Sequence, residues 1–181
     1  MNAKNYRALE IGLLLIDLLA ILLMAAWIFG FRVNITSSMP MGVYLLSSEP
    51  VERFDIVSFC LPPDNPHSAL AEKRGYLQSG LCPNGQQPLL KRLAGIPGDR
   101  VEIKDSGIVL NDRFLLGTKR PTRDRRGRVL PDSLLHQGIV PDGQALVLSQ
   151  EHAGSFDSRH FGLVPMVALK KVKPVVVTGR E

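Results

Sequence analysis

Apolar residues fall into two regimes along this chain. From residue 11 to residue 31 they are almost unbroken, and beyond that they recur in short alternating stretches. Crossing a hydrocarbon core takes about 20 residues, so the first regime predicts a membrane-spanning helix, with Asp17 as its one charge. Ala25 and Ala26 are small enough for a leader cleavage site, but the run continues through Trp27, Ile28 and Phe29. That exceeds the roughly 7–15 apolar residues of a cleaved leader, and the expectation is an uncleaved anchor. Lys4 and Arg7 ahead of it place the N-terminus inside by the positive-inside rule, although Arg32 weakens the bias. The chain then divides into a cytoplasmic stretch, 1–10, an anchor in the inner (cytoplasmic) membrane, 11–31, and a periplasmic domain, 32–181.

In the second regime, residues 43–46, 54–59 and 89–93 read as strands by alternation and β-branching. Residues 100–104 and 107–111 pair as a hairpin across Asp105-Ser106, and 114–116 extend its sheet. Residues 139–148 read as strand, turn, strand, and 163–169 and 172–178 as closing strands. Residues 61–87 are rich in proline, glycine and polar side chains without a sustained period, which predicts a long loop. Residues 149–162 read as a polar loop. No segment needs a long amphipathic helix, and there are no internal repeats. The fold class expected is mainly β.

Composition agrees. A length of 181 residues suffices for one membrane segment and one domain with a core, and 16 glycines with 13 prolines suit a loop-rich β domain. The formal charge of +5 is concentrated in residues 119–128. That stretch has no aromatic residue to stack on bases, so no nucleic-acid partner is expected. It reads as a solvated loop, able at most to touch anionic headgroups or an acidic partner. Cys60 and Cys82 are too few for a metal framework, and no histidine stands at ligand spacing beside them. No metal and no cofactor is expected. In an exported domain the two cysteines pair, closing a loop for a gain of about 3 kcal/mol.

Two stretches carry candidate chemistry. Thr36-Ser37-Ser38-Met39-Pro40-Met41-Gly42-Val43-Tyr44 presents hydroxyls followed by a turn, directly behind the anchor. A serine on a rigid turn serves as a nucleophile when a base lies nearby, and without one the stretch is only a linker. Lys91 lies among Leu89, Leu90 and Leu93, and in a strand it shares the face of Leu89 and Leu93. Burial on that face lowers its pKa and makes a neutral, usable base. A lone lysine there would snorkel to water instead.

Taken together these stretches resemble the Ser/Lys signal peptidases, the membrane serine peptidases that remove leader peptides. Ser38-Met39 before Pro40 resembles the nucleophile box. Lys91-Arg92 running into Gly95-Ile96-Pro97-Gly98-Asp99 resembles the lysine box, and Ser155-Phe156-Asp157-Ser158-Arg159 with Gly162 resembles the C-terminal box. The spacing Ser-x-Pro-x-Gly-x-Tyr, Ser38 to Tyr44, is similar to the conjugative-transfer TraF branch, which matures and cyclises a pilin. The resemblance implies a signal-peptidase-like β-sheet or barrel catalytic domain. It implies Ser38 as nucleophile, with its own N–H in the oxyanion hole, and Lys91 as base. It further implies Ser155 as the hydrogen-bond partner of the lysine and Thr36 as a helping hydroxyl. Asp157 and Arg159 form an ion pair, and in this branch Asp157 contributes more directly by positioning an ammonium.

Ser37 is the rival nucleophile, because leader peptidases have one more residue before the proline. His160 lies beside the C-terminal box, and the family uses no histidine. His67, His136 and His152 fall in polar loops and read as solvated. Ser149-Gln150-Glu151-His152-Ala153-Gly154 replaces the Gly-Asp-Asn-type run of ordinary leader peptidases, which counts against that role and leaves the dyad untouched. Three readings follow: a pilin-maturing peptidase and cyclase working beside a conjugative-transfer or secretion apparatus, a general leader peptidase, or a non-enzymatic membrane-anchored β module of a secretion assembly.

Overall fold

The computed structural model describes residues 3–150 and 152–178. Met1, Asn2, Glu151 and residues 179–181, which the expectations above also cover, lie outside the described residues. The anchor run forms α1 (Ala3–Ile28). Within it, Leu9–Ile28 has a mean hydropathy of 2.6 and no buried residue, so it is long and apolar enough to cross a membrane. The helix stops short of the expected residue 31. Gly30, at φ +92°, takes a left-handed conformation that glycine adopts without a steric cost. Phe31 then opens β1 (Phe31–Asn34). Arg32 turns back on the helix end, donating to the Trp27 carbonyl at 3.0 Å and stacking 3.4 Å from the centre of its indole.

The remaining strands are β2 (Met41–Leu46), β3 (Ile56–Phe59), β4 (Leu89–Gly95), β5 (Arg100–Lys104), β6 (Gly107–Leu110), β7 (Arg113–Phe114), β8 (Gly138–Ile139), β9 (Gln144–Leu148), β10 (Val164–Pro165) and β11 (Lys170–Thr178). They build two antiparallel sheets, one in the order β1-β2-β11-β3-β4-β9-β10 and one in the order β7-β6-β5-β8. The fold is mainly β, as expected. The hairpin across Asp105-Ser106 and the extension by β7 are both present. The two strands expected in residues 139–148 enter different sheets: β8 pairs with β5, and β9 with β4.

Period-2 alternation explains the cores. Ala145 and Val147 of β9 point into a cluster with Val57, Leu93, Phe161 and Val164, whereas Leu146 and Leu148 point into a second with Val101, Ile108 and Leu110. A strand buried on both faces reads as a continuous apolar run, which is the run at residues 145–148. Residue 54 does not begin a strand. Phe54 is left-handed at φ +72° and donates its N–H to the Leu93 carbonyl at 2.7 Å, so β3 starts two residues later.

Residues 61–87 are not a structureless loop. They contain α2 (Ser68–Lys73), and Leu61, Ala71 and Leu77 enter the main core. A helix of six residues is too short to show its period in the sequence. The Cys60–Cys82 disulfide closes this excursion beside the end of β3.

Candidate active site

The turn that carries Ser38 is fixed from inside by Asn34, the last residue of β1 and itself buried. Its amide nitrogen donates to the carbonyls of Thr36, Met39 and Pro40 at 3.0–3.1 Å, and its oxygen accepts from the N–H and hydroxyl of Thr36 at 3.1 and 2.7 Å. Thr36 has one hydroxyl proton, and Asn34 Oδ1 takes it. Thr36 Oγ1, 3.1 Å from Ser38 Oγ, therefore accepts the proton of Ser38. Below the turn, Met39 is buried and Tyr44 donates to the Pro40 carbonyl at 2.6 Å. A Cβ on Gly42 would meet the Val176 carbonyl oxygen at 2.1 Å, where β11 bulges against β2. The proline, glycine and tyrosine of the motif thus hold a backbone shape. Ser38 is half-buried, Ser37 is exposed, and both line the same cleft.

Lys91 stands opposite Val57 in the β3–β4 register. It is 2% exposed. Burial lowers its pKa from 10.5 to about 8; Asp157 pulls the other way, and Arg159 adds to the lowering. Among the described residues the hydrogen-bond partner of Lys91 Nζ is Ser155 Oγ, at 2.9 Å. Leu89 and Leu93 lie with the main core, and Leu90 with Met39, Tyr44 and Val172, as the alternation requires.

Of the stretch 149–162, read as a polar loop, Gln150, Ala153 and Gly154 are exposed as a loop would be, whereas Ser149, Ser155 and residues 157–162 are buried. Asp157 caps α3 (Ser158–Phe161) and forms the expected ion pair with Arg159, both essentially inaccessible to solvent. Asp157 Oδ1 accepts from the N–H and Nε of Arg159, at 3.1 and 2.8 Å, and Oδ2 from Arg159 Nη2 and the Ser149 N–H, at 2.7 and 3.0 Å. With two donors on each oxygen, the carboxylate is engaged by the protein itself. Arg159 also donates to the carbonyls of Gly117, Lys119 and Ser149, tying the box to the loop ahead of the arginine run. Ser149 Oγ in turn donates to the Ser38 carbonyl. Asp157 thus reaches Ser38 through Ser149, and Lys91 through the field of its charge.

Asn34 and Ser149 are the two site residues that sequence reasoning missed. The signal for Asn34 was an amide between Val33 and Ile35, just before a hydroxyl-rich turn. For Ser149 there was only its place where the family pattern breaks.

The cleft over this site has a volume of about 690 Å³ and brings Thr36, Ser38, Lys91 and Ser155 onto one lining. Its opposite wall is part of the arginine run, which is largely exposed, as read from the sequence, but is also fastened to the rest of the domain. Asp124 accepts from the Tyr76 hydroxyl and Arg128 Nε, each at 2.6 Å, and Arg74 donates to the Val129 carbonyl at 2.8 Å. These bonds fasten a flap, residues 121–130, to the segment braced by the disulfide. Two of the histidines expected in solvent are not there. His67 is buried beside α2, and His152 is half-buried, with Nε2 accepting from Arg125. His136 is exposed. His160 is buried against Phe156, and its pKa falls to about 4, chiefly through burial. Among the described residues no group of His, Cys, Asp and Glu is arranged to hold a metal ion.

The family model for signal peptidase, peptidase S26, matches residues 7–175. The chain belongs to that family. A conjugal transfer protein TraF of Agrobacterium fabrum is 40% identical over 138 residues, spanning 75% of this chain and 76% of its own. A plasmid transfer protein TraF of Escherichia coli is 33% identical over 177 residues, 97% of this chain and 99% of its own. Among solved structures, a signal peptidase I from Enterococcus faecalis V583 is similar at 23% identity and a TM-score of 0.37, over 70% of this chain and 99% of its own.

Proposed function

We propose that this chain is a membrane-anchored serine endopeptidase that matures a pilin precursor for conjugative transfer and closes it head to tail. Residues 1–10 face the cytoplasm, the apolar run 11–31, helical as far as Ile28, carries the anchor, and 32–181 work in the periplasm. The observation that supports the chemistry best is Lys91. It is buried, lowered to about 8 and held by Ser155 at 2.9 Å, in the cleft onto which Ser38 opens. The relatives named for conjugal and plasmid transfer favour the biological role.

The steps are as follows. The Ser38 hydroxyl turns its proton from Thr36 toward neutral Lys91 and adds to the scissile carbonyl carbon, and Lys91 takes the proton. The Ser38 N–H stabilises the oxyanion; among the described residues no acceptor holds it. Collapse breaks the C–N bond, and Lys91 returns the proton to the leaving amine. An ester to Ser38 remains. Water opens it to a linear product. An amine on the same substrate opens it to a new peptide bond and a ring, helped by an effective concentration that reaches about 10⁵ M when well oriented. Asp157 acts on this centre as a positioning residue, through Ser149 and through the charge felt by Lys91.

The test is the intact mass of a pilin co-produced with the enzyme. A cyclic product weighs one water less than the linear chain of the same residues. A linear mass alone removes the cyclisation step and keeps the peptidase. Cleavage of an unrelated secreted preprotein at a similar rate favours the general leader peptidase. An unchanged precursor removes the catalytic reading. Protease added to spheroplasts digests the domain if the topology is right; full protection overturns it.

A further inference from the structure

The flap holds more cation than its own fold uses. Asp124 is occupied by Tyr76, by Arg128 and by the N–H groups of Arg126 and Arg128, both at 2.9 Å. Arg128 completes that pair and lies 5.7 Å from the centre of the Tyr76 ring. Arg123 donates to the Gly127 carbonyl across the turn at 2.7 Å. Arg125 and Arg126 remain, both exposed at the tip and both lining the cleft. Arg125 spans the cleft, with Nη2 3.4 Å from Ser37 Oγ and in contact with His152 Nε2. Its guanidinium therefore rests beside the residue next to Ser38.

The charge balance of the lining is one-sided. Among the described residues, Arg74, Lys91 and the four flap arginines face a single carboxylate, Asp124, which the flap already engages. A cleft lined by one sign of charge concentrates the opposite sign, and guanidinium binds carboxylate in a fork geometry that ammonium lacks. The tip contacts Ser37 and His152 within the cleft, which favours a peptide over a lipid surface. An extended substrate advances about 3.3 Å per residue, so a group within about three residues of the scissile bond passes these arginines.

We propose that Arg125 and Arg126 form a recognition site for a carboxylate that the substrate carries close to its scissile bond. Ser37 and His152 hold Arg125 across the cleft, and the incoming carboxylate takes their place. The site rests on the peptidase reading only for which peptide enters, and the test separates the two.

The protein for the test is the full chain in detergent micelles, carrying Ser38→Ala so that peptides bind without turnover. The probes are short fluorescent alanine-rich peptides: one with Glu and an amidated C-terminus, one with Gln in its place and amidated, and one with Gln and a free terminal carboxylate. The Glu peptide is expected to bind about tenfold tighter than the amidated Gln peptide, with the gap narrowing at high salt. The gap closes in Arg125→Gln/Arg126→Gln. In Arg125→Glu/Arg126→Glu it reverses in favour of the amidated Gln peptide. A free-acid Gln peptide that matches the Glu peptide shows that the site takes a chain terminus as well as a side chain, and one that matches the amide assigns it to a side chain. Equal binding of all three peptides overturns the proposal. So does loss of binding to phosphatidylglycerol vesicles in the Gln variant while its peptide preference persists, which gives the flap to the membrane. With Ser38 intact, precursor processing without any carboxylate preference removes this site and keeps the peptidase. A carboxylate preference without processing does the reverse.

Discussion

The two walls of the cleft are built by different physics. On the sheet side, Lys91, Ser155, Asp157 and Arg159 are buried, and Lys91 is placed by the backbone register of β3 against β4. On the flap side the backbone bonds are the flap's own, the Arg123–Val129 bridge and a turn closed by the Gly127 N–H on the Asp124 carbonyl, and the ties to the neighbouring segment run through the side chains of Tyr76, Arg74, Asp124 and Arg128. A depressed lysine pKa needs a site that water cannot enter, and a strand locked on both sides provides it. A wall that meets many chemical groups needs adaptable polar side chains on a scaffold held by few bonds, where local opening costs little. In the function proposed above, chemistry sits on the rigid wall and recognition on the adjustable one.

The largest effects come from breaking the sheet wall. Ser38→Ala and Lys91→Ala should each lower precursor processing by more than about 1000-fold while the protein stays folded and membrane-bound. Lys91→Arg should be equally inactive, because a guanidinium stays protonated. Immunoblots of precursor and product measure this. A dead Ser37→Ala beside an active Ser38→Ala would move the nucleophile by one residue. Thr36→Val tests the helper, removing the acceptor that orients the Ser38 hydroxyl, and should lower processing by less than Ser38→Ala does.

Next in size is the ion pair beneath that wall. Asp157→Asn leaves Arg159 charged, buried and short of its partner, which costs about 3–5 kcal/mol. A melting temperature lower by about 10 °C is expected, read by circular dichroism in detergent. An unchanged melting point would mean that the carbonyls of Gly117, Lys119 and Ser149 hold Arg159 without it. The flap wall should respond differently. Cys60→Ser/Cys82→Ser opens a loop of 22 residues and loses about 3 kcal/mol. Because that loop braces the flap and not Lys91, KM should rise more than kcat falls. An equal fall in kcat would mean that the two walls are not independent.

This difference also governs what the sequence revealed. Lys91 was legible because a single strand's alternation places it, and Ser38, Ser155 and Asp157 because boxes at fixed spacing carry them. The flap was not, because Tyr76 and Asp124 are far apart in sequence and meet only through side chains. Arginines without aromatic neighbours look solvated until the wall they rest on is known. Asn34 acts across six residues on three carbonyls, a pattern without hydrophobic period. The helix ends three residues before the apolar run does, because Phe31 is as apolar in a strand as in a helix and Gly30 alone marks the break.

The smallest expected effect bears on the rigid wall itself. Lys91→Met should raise the melting temperature near neutral pH although it abolishes processing. The ordinary lysine pKa is 10.5, and burial brings that of Lys91 to about 8. Below about 8 the amine is charged in the folded and unfolded chains alike, and the folded chain bears the cost of a buried ammonium. Between about 8 and 10.5 the unfolded chain keeps the proton and the folded chain does not, so stability rises with pH. Above 10.5 both are neutral and the cost is gone. Methionine removes the charge at every pH, and its advantage is therefore greatest below about 8 and fades above it. Ser155 Oγ loses its donor in the variant, which offsets about 1–3 kcal/mol of the gain. The net rise should be about 3 °C near neutral pH. The same titration predicts that wild-type processing climbs with pH to a plateau above about 8, because the base must be neutral. A variant that melts lower than wild type near neutral pH would show that Lys91 is not a charge held at a cost.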